Sequence, residues 1–328
     1  MKSTIRKTAT TALAAALALG GAAVVPATAT AAGIKCDSTG GGDSSFYQGE
    51  SAGKVYNEKF GRGPEIPGLG DFVPQGLTTW HDWDGGKDLL LITEYEANGK
   101  SARIYGVDPA NGKTVGSVPI AYSHVGGIAV AKGWVFVSGK QSGKWHTIRK
   151  YKASEVAEAL KEKNPGVLAQ TGKAREVYGS SFLTADGDVL YSGRFNAHGR
   201  DAMYAYRVAA DGSLTTGEKY EVPKRTQGMM VAGDHFFYST SSGRQNRSNI
   251  YVVDKGATDI DKSAKCFRAP SLAEGITNDK GTTYLLFESG ADKYRRTPCS
   301  EDRSRDRKCT RNVIRNLHTA QTAGLPAF

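Results

Sequence analysis

Three glutamates lie in β-rich segments where hydrocarbon would normally be buried. Glu274 precedes a Gly-Ile step, while Glu94 and Glu288 each interrupt an apolar run. Crowded carboxyl groups raise one another's pKa, so a set of them can transfer protons as a general acid and base. Alternatively, Glu288 has only a structural role and pairs with a basic side chain that follows it closely, Lys293 or Arg295.

A bound cation is the third interpretation of these carboxyl groups. Ca²⁺ prefers carboxylate and amide oxygens as ligands. Glu274 and Glu288 would supply the charged oxygens, and Gln75 or Gln227 would supply neutral ones from equivalent positions of other segments. The residues alone leave the catalytic pair, the Ca²⁺ site and the structural ion pair open.

Imidazole, basic and amide side chains accompany the carboxyl groups. His124 has the residue type of a general acid/base, and basic side chains after β-rich runs are suited to hold an anionic substrate group. The candidate catalytic residues are Glu94, His124, Glu274 and Glu288. The candidate substrate-binding residues are Gln75, Lys140, Arg194 and Gln227.

An internal repeat of about 50 residues organises the segments that must position these side chains. Its opening motif recurs five times, with the reference positions Gly76, Gly127, Phe182, Gly228 and Gly275. Each unit continues with a turn rich in Gly, Asp or Asn and with further β-rich runs, which predicts four short antiparallel strands. Five such units predict an all-β fold, a five-bladed β-propeller of four-stranded antiparallel blades.

The innermost strands of a propeller line its central channel, and polar residues recur where those strands begin. The position before the reference residue carries Gln75, Gly126, Ser181, Gln227 and Glu274. Buried polar groups need partners, which a water-filled channel, a ligand or neighbouring backbone groups would supply. The equivalent positions at the end of the second strand carry Glu94, Lys140, Arg194, Ser241 and Glu288. We expect these side chains to lie at the channel mouth.

The chain divides into three predicted regions. Residues 1–32 have the basic start, short apolar run and Ala-x-Ala spacing of a secretory signal peptide. Residues 33–55 are rich in Gly and Ser and predict a flexible N-terminal segment, and residues 56–328 predict a single propeller domain. One inserted helix in the second unit starts with Ser154 as N-cap and stops at 164–166. Either 54–60 or 312–317 supplies the strand that closes the ring.

Four cysteines remain after the signal peptide, and an even number in an oxidising compartment indicates two disulfides. Cys299 and Cys309 flank one short polar loop, so we expect them to pair, which leaves Cys36 for Cys266. No C-x-x-C motif occurs, so a zinc or redox function of the cysteines has little support. The protein is expected to be secreted, extracellular and monomeric.

The net charge of +10 bears on the partners. A basic secreted protein is attracted to anionic molecules, which favours an anionic small molecule or polymer as substrate, although solubility alone also explains the charge. Aromatic residues are not interleaved with the Lys and Arg residues, which argues against nucleic acid. No segment after the signal peptide is apolar enough to predict a membrane span.

The first unit resembles a blade of the propeller family that includes bacterial glutaminyl cyclotransferases and streptogramin lyases. The similar residues are Gln75-Gly76-Leu77, Ser101, Asp108-Pro109 and Gly112-Lys113. The resemblance covers about one unit well, and the acidic blocks of the cyclotransferases are absent. The Ala- and Thr-rich signal sequence and the basic mature chain are similar to those of secreted actinobacterial proteins.

Two functions fit these features. The first is an extracellular hydrolase or lyase with a carboxylate-lined site at the channel mouth, acting on an anionic or polar substrate. The second is a non-catalytic binding module for a cell-envelope polymer or a protein partner. Carboxyl groups clustered with a histidine favour the enzyme, whereas the fold alone favours neither.

Overall fold

The computed structural model describes residues 34, 36, 50, 52–141, 146–299 and 309–328. It is a five-bladed β-propeller of four-stranded antiparallel blades, which confirms the predicted fold. The predicted signal peptide lies outside the described residues. No helix in the described part of the chain is long and apolar enough to cross a membrane.

Each of the first four blades is built from four consecutive strands, innermost first. Blade 1 contains β2 (Phe72–Trp80), β3 (Leu89–Glu96), β4 (Ala102–Val107) and β5 (Thr114–Ile120). Blade 2 contains β6 (Ile128–Ala131), β7 (Trp134–Ser138), β8 (His146–Lys152) and β9 (Arg175–Val177). Blade 3 contains β10 (Phe182–Asp186), β11 (Val189–Gly193), β12 (Asp201–Val208) and β13 (Leu214–Val222). Blade 4 contains β14 (Thr226–Ala232), β15 (His235–Thr240), β16 (Ser248–Asp254) and β17 (Lys265–Ala269).

Blade 5 closes the ring with strands from both ends of the domain. From the inside outwards it contains β18 (Ala273–Asp279), β19 (Thr282–Phe287), β20 (Asn316–Gln321) and β1 (Gly61–Glu65). The C-terminal candidate for the closing strand, 312–317, therefore overlaps a strand of this blade, because β20 begins within it. The other candidate, 54–60, is wrong: it forms helix α1 (Lys54–Lys59), because Tyr56 is buried against blade 5 and its hydroxyl hydrogen-bonds His318 Nδ1 at 2.6 Å.

The inserted helix of the second blade, α2 (Ala153–Lys161), lies between β8 and β9 as predicted. Its N-cap is Lys152 rather than Ser154, and no side chain in the described part of the chain caps it. The helix begins directly from the preceding strand because Val156 and Leu160, one turn apart, are buried. A short helix, α3 (Asp292–Arg295), follows blade 5.

Glycines of the repeat motif allow the innermost strands to approach one another closely. A methyl group on Gly127 would lie 2.3 Å from the backbone nitrogen of Leu183 in blade 3. A methyl group on Gly275 would lie 2.4 Å from the backbone nitrogen of Leu77 in blade 1. The repeated glycines are therefore needed where adjacent blades meet around the channel.

Both predicted disulfides are present, Cys36–Cys266 and Cys299–Cys309. The first links residues 230 positions apart and the second links residues 10 positions apart. Cys266 lies in β17, so the first bridge ties the N-terminal segment to the outermost strand of blade 4.

The two bridges are expected to differ in their contribution to stability. Removing Cys36–Cys266 by a double Cys→Ser change should lower the free energy of unfolding by roughly 2–3 kcal/mol more than removing Cys299–Cys309, because the longer loop restricts the unfolded chain more. Chemical denaturation of the two double variants measures the difference. Equal losses, or a larger loss at Cys299–Cys309, would contradict this expectation.

Candidate functional site

The register of the second strands decides which side chains face the channel at the entry face, the end of the ring where the innermost strands begin. In blade 5, Ala273 pairs with Phe287, whereas in blade 1 the equivalent Pro74 pairs with Glu94. Glu94 is thus equivalent to Phe287, and Tyr95 is equivalent to Glu288. The sequence alignment was wrong by one residue here, and one residue in a strand reverses the face.

The same slip affects Arg194. Because Phe182 pairs with Gly193, the blade 3 residue equivalent to Glu288 is Phe195. The Arg194 guanidinium instead lies 2.9 Å from an Asp201 carboxylate oxygen and 4.9 Å from the centre of the Tyr178 ring. The structure therefore places Arg194 beside the predicted substrate site in an ion pair, rather than in the site.

Glu94 is separated from the other two glutamates. Its side chain is 0 % exposed, and a methyl group on Gly68 would touch its Oε2 and the Tyr105 hydroxyl. Burial raises its pKa well above the usual value, and no other carboxylate of the described residues contributes to the shift. Glu94 is therefore not part of a cluster with the other two candidate carboxyl groups, Glu274 and Glu288.

Glu274 and Glu288 do form a pair. Burial, and then the charge of Glu288, raise the pKa of Glu274, which is 1 % exposed. Burial raises the pKa of Glu288, 8 % exposed, to about 7, although Tyr294, Lys293 and Gln75 oppose the shift. Burial therefore favours the protonated form of both carboxyl groups.

Two glutamines connect this pair to the channel. Gln75 Nε2 donates to Glu288 Oε2 at 2.9 Å, and Gln227 Nε2 donates to Glu274 Oε1 at 3.2 Å. The Ser241 hydroxyl lies 3.5 Å from the same Glu274 oxygen. These contacts bring together five of the residues predicted from the repeat positions, with the amide groups on the channel side.

The cations named for a structural ion pair have other hydrogen-bond partners. Lys293 Nζ donates to the Tyr95 hydroxyl at 2.7 Å. Arg295 bonds to Asp292 in the same short helix. Lys293 still lowers the pKa of Glu288 through its charge, so it acts on the pair without a described hydrogen bond to it.

A cavity of about 620 Å³ opens beside the carboxyl pair and is bounded by blades 1 to 4. Gln75, Gln227, His124 and Lys140, all predicted from the sequence, line it together with serine hydroxyls and Phe195. No carboxylate is among its lining residues in the described part of the chain. The cavity is suited to a polar or anionic ligand.

Two histidines line this cavity, and the sequence indicated only one of them. The His124 ring stacks on Tyr95 with centroids 4.9 Å apart, and burial followed by the charge of Lys293 lowers its pKa. His146, the other one, begins β8, and its Nε2 lies 2.9 Å from Gln141 Nε2. Burial, then Arg194, lowers its pKa. Both rings are therefore available as neutral imidazoles, and the position of His146 at a strand end on the entry face could have indicated it.

Comparisons with known proteins find similar solved structures but no matching family model. No protein-family model matches the chain, and no curated protein matches it. Among the solved structures that match, the following three are each 12 % identical to this chain. A nidogen/laminin complex has a TM-score of 0.37 and covers 65 % of this chain and 72 % of its own. The computationally designed Ika4 protein has a TM-score of 0.30 and covers 52 % and 88 %. A GH43_1 enzyme from Xanthomonas citri has a TM-score of 0.43 and covers 81 % and 91 %.

Proposed function

We propose that the protein is an extracellular hydrolase or lyase whose site is the entry-face cavity with the carboxyl pair beside it. The observation that carries this proposal is the Glu274–Glu288 pair, because Glu288 has a pKa of about 7 and can exchange a proton near neutral pH. Glu288 is the general base in this proposal. Glu274, whose pKa burial and the charge of Glu288 raise well above its usual value, is the general acid in this proposal.

The cavity supplies the substrate-binding groups of the proposed enzyme. Lys140 provides a positive charge for an anionic group of the substrate, and Gln75 and Gln227 provide amide groups beside the acid pair. His124, neutral at pH 7, can accept a proton from the substrate or from water. The substrate class that fits is a polar or anionic molecule, including the end of a cell-envelope polymer.

A pH profile tests the acid/base assignment. The rate on chromogenic aryl esters, aryl glycosides or polyuronates should rise as the pH increases through about 7, because Glu288 loses its proton there and becomes a base. Initial rates of released aryl alcohol or unsaturated product, across about pH 5 to pH 9, measure it. A profile that is flat across this range would contradict the role of the pair.

A binding module is the second candidate, and the position of the two glutamines favours it. Their amide groups lie between the carboxyl pair and the cavity, so a ligand can be held without reaching a carboxyl oxygen. In that case an anionic cell-wall polymer should bind without turnover. Lys140→Gln should then weaken binding in calorimetric titrations, whereas Glu288→Gln should leave it unchanged.

A further inference from the structure

A second cluster of ionisable side chains lies at the exit face, the end of the ring where the innermost strands finish. His81 directly follows β2, Asp88 directly precedes β3, and Asp279 ends β18. The first two belong to blade 1 and the third to blade 5. The cluster therefore spans the boundary between the blade that opens the ring and the blade that closes it, at the channel end opposite the carboxyl pair.

The potential ligand atoms of this cluster converge. One nitrogen or oxygen from each of the three residues lies within 4.8 Å of the other two. His81 Nδ1 is 3.2 Å from Asp88 Oδ2 and 3.9 Å from Asp279 Oδ1. These separations suit three groups that surround one ion, since neighbouring ligands on a metal are themselves a few ångströms apart.

Asp279 supplies an independent indication of a missing partner. The residue is 8 % exposed, yet its Oδ1, which points towards His81, has no hydrogen-bond partner among the residues that the structure describes. An unsatisfied buried carboxylate oxygen is costly to the fold. The charge of Asp88 is better compensated, because Lys280 Nζ lies 2.9 Å from Oδ2 and the Asp82 amide donates to Oδ1 at 3.0 Å.

We propose that His81, Asp88 and Asp279 bind a divalent transition-metal ion of the Zn²⁺ type. One imidazole nitrogen with two carboxylate oxygens is a ligand set that Zn²⁺ and related ions accept. Ca²⁺ is disfavoured, since it takes about six to eight oxygen ligands. The ion gives the unpartnered oxygen of Asp279 a partner.

The surroundings of the cluster leave room for further ligands of the metal. The His81 side chain is 62 % exposed, and it lines a cavity of about 430 Å³ that residues of all five blades surround at the exit face. Water or a small anionic ligand can therefore complete the coordination from the cavity side. Because the three protein ligands come from two blades, the ion also links blade 1 to blade 5.

Isothermal titration of the tag-free protein with Zn²⁺, and in parallel with Ca²⁺, tests this site. We expect one Zn²⁺ to bind, and we expect His81→Gln or Asp279→Asn to weaken the binding at least about tenfold. Loss of a residue that only supports a metal ligand already weakens metal binding by about that factor, so loss of a ligand itself should cost no less. His81 is exposed, so His81→Gln should fold normally, and its melting temperature without metal verifies this. Lys280→Gln should tighten binding, because it removes the ammonium that competes for Asp88.

His235→Gln is the matched control. His235 Nε2 lies 4.0 Å from Asp254 Oδ1, a second His–carboxylate contact, but it belongs to no group of three potential ligands among the described residues. This variant should bind Zn²⁺ as the wild type does. Absence of Zn²⁺ binding, or Zn²⁺ binding that is unchanged in His81→Gln and Asp279→Asn, would overturn the proposal.

Discussion

The Glu288→Gln protein is expected to lose at least about a hundredfold of its catalytic rate while it melts no lower than the wild type at about pH 8. Glutamine keeps the oxygen that accepts the Gln75 hydrogen bond, so the shape of the site is preserved. It cannot exchange a proton, so the proposed base is removed. Rates on the best substrate and thermal melts of both proteins measure the two effects.

The melting behaviour follows from the sign of the pKa shift. The folded protein raises the pKa of Glu288 to about 7, so folding favours its protonated form. This contribution to stability is complete below the usual glutamate pKa and is lost as the pH rises through about 7. The wild type should therefore lose stability between about pH 5 and pH 8, and Glu288→Gln should lose less.

Glu94→Gln is the control for this experiment. Glu94 is also buried with a raised pKa, but it is not in the site. This variant should retain its activity, which distinguishes loss of the base from loss of any buried carboxyl group.

Thermal melts with added Ca²⁺ test the alternative of a cation bound between Glu274 and Glu288. If the Glu288→Gln protein melts several degrees lower than the wild type, keeps full activity and shows no change of melting temperature with Ca²⁺, Glu288 has only a structural role.

Gly275→Ala is expected to lower the free energy of unfolding by about 3 kcal/mol or more, at the upper end of overpacking effects. The added methyl group would lie 2.4 Å from the Leu77 backbone nitrogen and 3.0 Å from the Gly76 carbonyl carbon. These are backbone atoms of the adjacent innermost strand, so relief of the contact requires blades 5 and 1 to move apart. Denaturant titration followed by circular dichroism measures the loss.

Gly61→Ala is the matched control, because Gly61 also lies in a strand of blade 5 and no atom of the described residues lies within 4 Å of the added methyl group. Its free energy of unfolding should change by no more than about 0.5 kcal/mol. If Gly275→Ala were as stable as Gly61→Ala, close approach of the innermost strands would not be the reason for the glycine in the motif.

The sequence determined the blade architecture because the relevant information is local and repeated. The turn residues and short β-rich runs recur about every 50 residues, so the number of blades could be counted without knowledge of any long-range contact. The pairing of Cys299 with Cys309 was predictable for the same reason, since the two are 10 positions apart. The repeat also identified Gln75, Gln227, Glu274 and Glu288, because equivalent positions of the innermost and second strands converge at one channel.

Only the tertiary structure decided which face each second-strand residue presents. The turns between the first two strands differ in length, so the sequence did not mark the register of the second strand. A shift of one residue moved Glu94 under Gly68 and brought Tyr95 to the channel mouth. Asp279 lies far from His81 and Asp88 along the chain, and only closure of blade 5 against blade 1 brings the three side chains together. A local sequence pattern does not indicate such a contact, because the contact depends on closure of the whole ring.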